Sequence, residues 1–113
     1  MNTTQAILIV AFCSILGALG QVFFKLSSKY VTLDILSWVT NWRLIIGLTL
    51  YGIATIAFIW TLRSANLSIL YPVVATSYIW VAVFSTFFLG EPFMWYKWFG
   101  IAAILLGVSI IVL

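Results

Sequence analysis

The sequence predicts an all-α integral membrane protein, a bundle of four transmembrane helices forming one domain over residues 1–113. Hydrophobic residues make up 65% of the chain, charged residues 6%, and the mean hydropathy is +1.27. A soluble domain of 12.7 kDa has too little interior to hide that much apolar surface. Apolar stretches close to the roughly 20 residues that cross a hydrocarbon core recur four times. The two acids, Asp34 and Glu91, both fall in connections between them.

The first span runs from about Thr4 to Phe24, with helix continuing towards Ser28. It has no basic leader, is too long for a signal-peptide core and is followed by no Ala-x-Ala-like cleavage site, so it reads as a span and not as a removable signal. The second runs from about Leu44 to Leu62, bracketed by Arg43 and Arg63. The third runs from about Leu67 to Leu89 and is broken from the fourth, about Trp95 to Leu113, by Gly90-Glu91-Pro92. Residues 63–66 form a tight turn and 90–94 a short one, whereas 25–43 form a longer connection containing Leu33, Ile35, Leu36, Trp38 and Trp42. Those apolar side chains predict a segment lying in the membrane interface.

Four spans put both termini on the side of the 63–66 turn, where Arg63 is the lone Lys or Arg. Lys25, Lys29, Arg43 and Lys97 lie on the other side. The positive-inside rule then places the loops 25–43 and 90–94 in the cytoplasm and both termini outside. Trp38, Trp42, Trp95 and Trp98 gather at the cytoplasmic interface and Trp60 at the outer one, as an aromatic belt requires, while Trp80 sits mid-span.

Helical spacing marks candidate binding faces. Ser14, Gln21 and Lys25 are seven and four residues apart, steps of about −20° and +40°, so they share a face with Gly17 and Ala18 close by. Polar groups in a span turn towards the protein interior or a cavity; interhelical hydrogen bonding, with Lys25 snorkelling to the interface, is the plainer alternative. A second stripe in the third span carries Ser68, Tyr71, Ala75, Tyr78, Ala82 and Ser85. Pro72 cannot donate to the Ser68 carbonyl, which makes it a candidate hinge or a tolerated first-turn proline. In the fourth span Gly100, Ala103 and Gly107 line a face suited to close helix packing between subunits. Glu91 stands where an anion stabilises the start of that span, a helix cap.

Other chemistries find little support. Cys13 is alone within the first span and reads as a small apolar filler. There is no His and no cluster of Cys and acids, so neither a metal nor another cofactor is expected, and no nucleophile–base pair suggests an enzyme. The net charge of +3 is spread over helix ends and makes no nucleic-acid patch. Asn2-Thr3-Thr4 and Asn66-Leu67-Ser68 match glycosylation sequons that lie too near the membrane to carry weight.

Over nearly its whole length the chain resembles the drug/metabolite transporter superfamily. The residues responsible are 20–27 (GQVFFKLS), Leu70-Tyr71-Pro72-Val73-Val74, and Phe88-Leu89-Gly90-Glu91-Pro92 leading to Gly100 and Gly107. The length and the Lys25-Leu26-Ser27 run are similar to the small multidrug resistance family, whose members carry a proton-coupling glutamate eight residues before the lysine. Counting back from Lys25 reaches Gly17. Tyr71-Pro72, Ile79-Trp80-Val81 and Glu91-Pro92 resemble the EamA-like four-helix units more closely. That branch includes the paired subunits of an undecaprenyl-phosphate-aminoarabinose flippase, which do not use that glutamate.

This resemblance implies a flippase-like translocator of a polyprenyl-phosphate-linked sugar or similar amphipathic anionic lipid in a bacterial inner membrane. Lys25 would attract the phosphate, and Ser14, Gln21, Ser68, Tyr71 and Tyr78 would offer neutral hydrogen bonds to the sugar. Two alternatives stay open: a small multidrug or metabolite exporter with an atypical coupling site, and a non-transporting membrane subunit. Four helices enclose little space, so a homodimer or a heterodimer with a similar four-helix subunit is expected.

Overall fold

The structure, a computed structural model, describes residues 1–92 and 94–112, without the side chain of Val112. Phe93 of the predicted 90–94 loop and Leu113 at the end of the fourth predicted span lie outside the described residues. Every regular element described is helical: α1 (Thr3–Ser27), α2 (Ile35–Val39), α3 (Trp42–Thr61), α4 (Leu67–Val74), α5 (Ser77–Leu89) and α6 (Trp95–Val112). By length and apolarity α1, α3 and the 23-residue pair α4–α5 can each cross a membrane, and α6 is a shorter apolar helix.

Side chains that satisfy orphan backbone groups set most helix ends. Asn2 and Gln5 form a reciprocal capping box at the start of α1, with Asn2 Oδ1 2.8 Å from the Gln5 N–H it accepts. Asp34 caps α2, a single-turn helix inside the long connection whose Leu33, Ile35, Leu36 and Val39 are exposed. Gly90, at φ +67°, adopts the left-handed cap of α5, and the Glu91 N–H reaches back 3.2 Å to the Ser85 carbonyl. Asn41 does two jobs while buried. Its Oδ1 accepts from the first N–H groups of α3, and its Nδ2 donates to the Ser27 carbonyl at 3.0 Å, tying the end of α1 to the start of α3.

The third predicted span is two helices, α4 and α5, because the chain tightens at Ala75 and Thr76, just past Pro72. Three donors converge on the Val73 carbonyl: the Thr76 N–H at 3.1 Å, the Thr76 hydroxyl at 2.7 Å and the Ser14 hydroxyl of α1 at 3.3 Å. They occupy the acceptor that a continuous α-helix would offer to the N–H of Ser77. Shorter i to i+3 bonds follow, from Tyr78 to Ala75 and from Ile79 to Thr76.

Helix α1 is the hub, with α3 on one side and α4 and α5 on the other. The tightest approach joins Gly20 to Gly47. A Cβ on Gly20 would stand 3.0 Å from the Gly47 carbonyl oxygen, and one on Gly47 would stand 2.9 Å from the Phe24 ring. Near the 63–66 turn Ala6, Val10 and Leu70 are fully buried, with Phe58, Leu62 and Val73 packed around them. The main neighbour of α6 is α4. The molecule is flat: its thinnest dimension, 21 Å, is about two helix diameters.

Because backbone atoms face Gly20, Gly20→Ala should separate α1 from α3 and cost about 1–3 kcal/mol. Gly17→Ala, whose Cβ meets nothing within 4 Å, should change stability by less than about 0.5 kcal/mol. Reversible unfolding in detergent measures both; equal stability of the two variants would contradict the close-packed interface.

Candidate functional site

A groove of about 520 Å³ lies along α1 between α3 and the α4–α5 pair. Its floor is Cys13, Ser14, Gly17, Ala18 and Gln21. One wall is Tyr51, Ala54, Thr55 and Phe58 of α3, and the other is Tyr71, Val74, Ser77, Tyr78 and Val81. The buried cluster around Leu70 closes the end near the 63–66 turn. Tyr51, Tyr71 and Tyr78 remain 44%, 62% and 53% exposed, so the groove opens to the side between its walls. Gly17 supplies free space in the floor, since a Cβ there meets nothing within 4 Å.

The lining is apolar with a few neutral hydrogen-bonding groups: Gln21, Tyr51, Thr55, Tyr71, Ser77 and Tyr78. Two hydroxyls are already engaged. Ser14 donates a proton shared between the Val10 carbonyl at 2.9 Å and the Val73 carbonyl at 3.3 Å, and Thr55 donates to the Tyr51 carbonyl at 2.9 Å. Ser14 therefore touches the groove while helping to hold α1 against the break between α4 and α5. The chain's two acids, Asp34 and Glu91, are outside the lining. Buried Cys13 contributes a small apolar surface to the floor.

The structure brings Ser14 and Gln21 of one predicted face together with Tyr71 and Tyr78 of another in one lining. Lys25 lies one helical turn beyond Gln21, about 6 Å along the axis. Its Nζ is 3.9 Å from Glu91 Oε1 in a pair whose side chains are 59% and 46% exposed. Glu91 thus meets the end of α1, having been positioned by the backbone closure of α5, and it precedes α6 by four residues. Ser68 is exposed and outside the groove. Pro72 lies inside α4. Gly100, Ala103 and Gly107 are exposed within this chain, and a Cβ on either glycine would meet nothing within 4 Å.

Tyr51, Thr55 and Phe58 were not singled out from the sequence. Their signal was available: Gly47, Tyr51, Ala54, Thr55 and Phe58 follow the i, i+4, i+7, i+8, i+11 pattern of one helical face, small or polar among larger apolar residues.

Residues 1–113 match the EamA-like transporter family. The chain belongs to that family. It is accordingly a multi-pass membrane protein of a transporter family, within the drug/metabolite transporter superfamily. It is 27% identical over 109 residues to a protein of Escherichia fergusonii named as a probable 4-amino-4-deoxy-L-arabinose-phosphoundecaprenol flippase subunit, ArnE, covering 92% of this chain and 94% of that protein. It is 38% identical over 63 residues to an uncharacterized protein of Sinorhizobium fredii, covering 55% of this chain and 54% of that one, about half its length. No solved structure matches the chain.

An exposed ion pair of this length contributes between about 0 and 1 kcal/mol. Glu91→Gln should therefore leave the unfolding midpoint in detergent nearly unchanged. A loss of several degrees would show that the pair fastens the end of the bundle.

Proposed function

We propose that this EamA-like chain is a flippase-like translocator of a polyprenyl-phosphate-linked sugar or a similar amphipathic anionic lipid. The observation that carries the reading is a side-opening groove lined by neutral donors and acceptors, free of carboxylates, with the Lys25 ammonium just beyond one end. A lipid-linked head group needs lateral entry, because its tail stays in the hydrocarbon while the head moves along the groove. Neutral amides and phenols suit sugar hydroxyls and avoid the cost of a fixed charge in the empty site. The likeness to a protein named as a flippase subunit supports the same cargo class.

Lys25 receives the phosphate at the end of the groove. Its partner Glu91 is exposed and loosely held, so an arriving phosphate replaces it at small cost. Gln21, Tyr71 and Tyr78 then bind the sugar, with Tyr51 and Thr55 on the facing wall and Ser14 holding the groove's shape. Ser68 lies past the closed end and meets the head group only as it leaves. Pro72 and the break at Ala75–Thr76 form the hinge.

The charge bias supports a cytoplasmic Lys25 end with both termini outside, and the likeness to the Escherichia fergusonii protein named as a flippase subunit supports a bacterial inner membrane. Gly100, Ala103 and Gly107 leave α6 a smooth face on which a second four-helix subunit packs, as a homodimer or heterodimer that covers the open side of the groove. An exporter coupled to protons through a groove carboxylate is disfavoured, because Gly17 stands in the floor where such a group would be needed.

Transfer of a labelled polyprenyl-phosphate sugar across reconstituted vesicles, at matched protein level, tests the reading. Lys25→Ala should slow transfer about ten-fold, equivalent to about 1.4 kcal/mol. Gly17→Leu, which fills the floor, should slow it while leaving the fold intact. Wild-type rates in both variants would overturn the proposal.

A further inference from the structure

A second anion-binding feature lies outside the groove, at the elbow between α1 and α3. The guanidinium carbon of Arg43 sits 4.6 Å from the centroid of the Tyr30 ring and 4.4 Å from that of Trp42. Two aromatic contacts of this kind hold the cation in place without neutralising it. Among the described residues no carboxylate pairs with Arg43 and no acceptor engages its guanidinium donors; its side chain is half-buried, so those donors remain reachable. Of the two acids at this end, Glu91 faces Lys25 and Asp34 accepts the Leu36 N–H at 3.1 Å. Lys29, exposed and next to Tyr30, adds a second cation that no carboxylate pairs with among the described residues.

Beside these cations lies an apolar platform. Leu33, Ile35, Leu36 and Val39 are 106%, 77%, 61% and 60% exposed; the last three belong to a one-turn helix too short to be a span, and Leu33 precedes it. The segment is folded on itself and tied at one end: Trp38 Nε1 donates to the Thr32 carbonyl at 2.8 Å within it, and Asn41 clamps the start of α3 to Ser27. Exposed apolar side chains with adjacent unpaired cations match the two parts of one phospholipid, acyl chain and anionic head.

We infer that residues 29–43 form a binding site for an acidic phospholipid of the surrounding leaflet, with Arg43 as its phosphate ligand, Lys29 as a supporting cation and residues 33–39 lying against its acyl chains. Tyr30 and Trp42 orient the planar guanidinium, whose forked donors fit a phosphate better than a lysine ammonium does. This resident lipid is distinct from the cargo: its site draws on the α1–α3 elbow, whereas the groove ends near Lys25 on the α5 side.

Native mass spectrometry of the full chain in mild detergent, titrated with phosphatidylglycerol or phosphatidylcholine, tests the site. The wild type should retain phosphatidylglycerol at least about five-fold better, the gain expected from one added cation near a lipid surface. Arg43→Gln should remove most of that preference, Arg43→Lys should restore part of it, and Lys25→Gln should leave it in place. Equal retention of the two lipids by the wild type would overturn the proposal without any variant. So would loss of the preference in Lys25→Gln alone, which assigns the lipid to the groove, or a dimer that depends on Arg43, which assigns that side chain to a second copy.

Discussion

The contact between Gly20 and Gly47 is the constraint on which the rest of the architecture depends. Within a membrane there is no hydrophobic force to press one helix on another, so association relies on close packing and on interhelical hydrogen bonds. Two glycines facing each other let the backbones of α1 and α3 approach until a single added methyl would collide with a carbonyl oxygen. Asn41 fixes the same pair of helices at one end through the Ser27 carbonyl. With α3 set in this way and α4 and α5 held on the other side of α1, the space between them is the groove.

The second fixed point is the Val73 carbonyl. A helix that ran unbroken from Leu67 to Leu89 would use that acceptor internally. The turn at Ala75–Thr76 instead gives it to the hydroxyls of Ser14 and Thr76. One tightened turn in the backbone thus provides a bond to the hub helix just before Ser77, Tyr78 and Val81, which line the wall. Polar groups near a groove need not all serve a ligand; Ser14 shows that some of them hold the walls.

Hydropathy made the helical bundle legible, because a chain this apolar has few ways to satisfy its backbone other than helices. The faces bearing Ser14, Gln21, Tyr71 and Tyr78 were legible from spacing, since a helix of known pitch fixes which residues share a side. Spacing could not say which faces meet. Gly20 and Gly47 are 27 residues apart in the sequence, and neither announces the other. The same limit hid Tyr51 and Thr55, whose helix carries few polar residues, and it left Ser68 in a stripe with Tyr71 although Ser68, nearly a turn closer to the 63–66 connection on the same helix, falls outside the lining. Lys25 was legible as the cation ending a polar face, but its pairing with Glu91 depends on the left-handed cap at Gly90 and the path of the chain after it.

Photocrosslinking is the most direct measure of the central idea that an anionic lipid-linked head group passes along the α1 groove. A polyprenyl phosphate bearing a photoreactive sugar, activated in vesicles and mapped by peptide mass spectrometry, should label residues 13–21, 51–58 and 71–81. Label confined to α6 or to the 31–39 segment, with none on those three stretches, would contradict it.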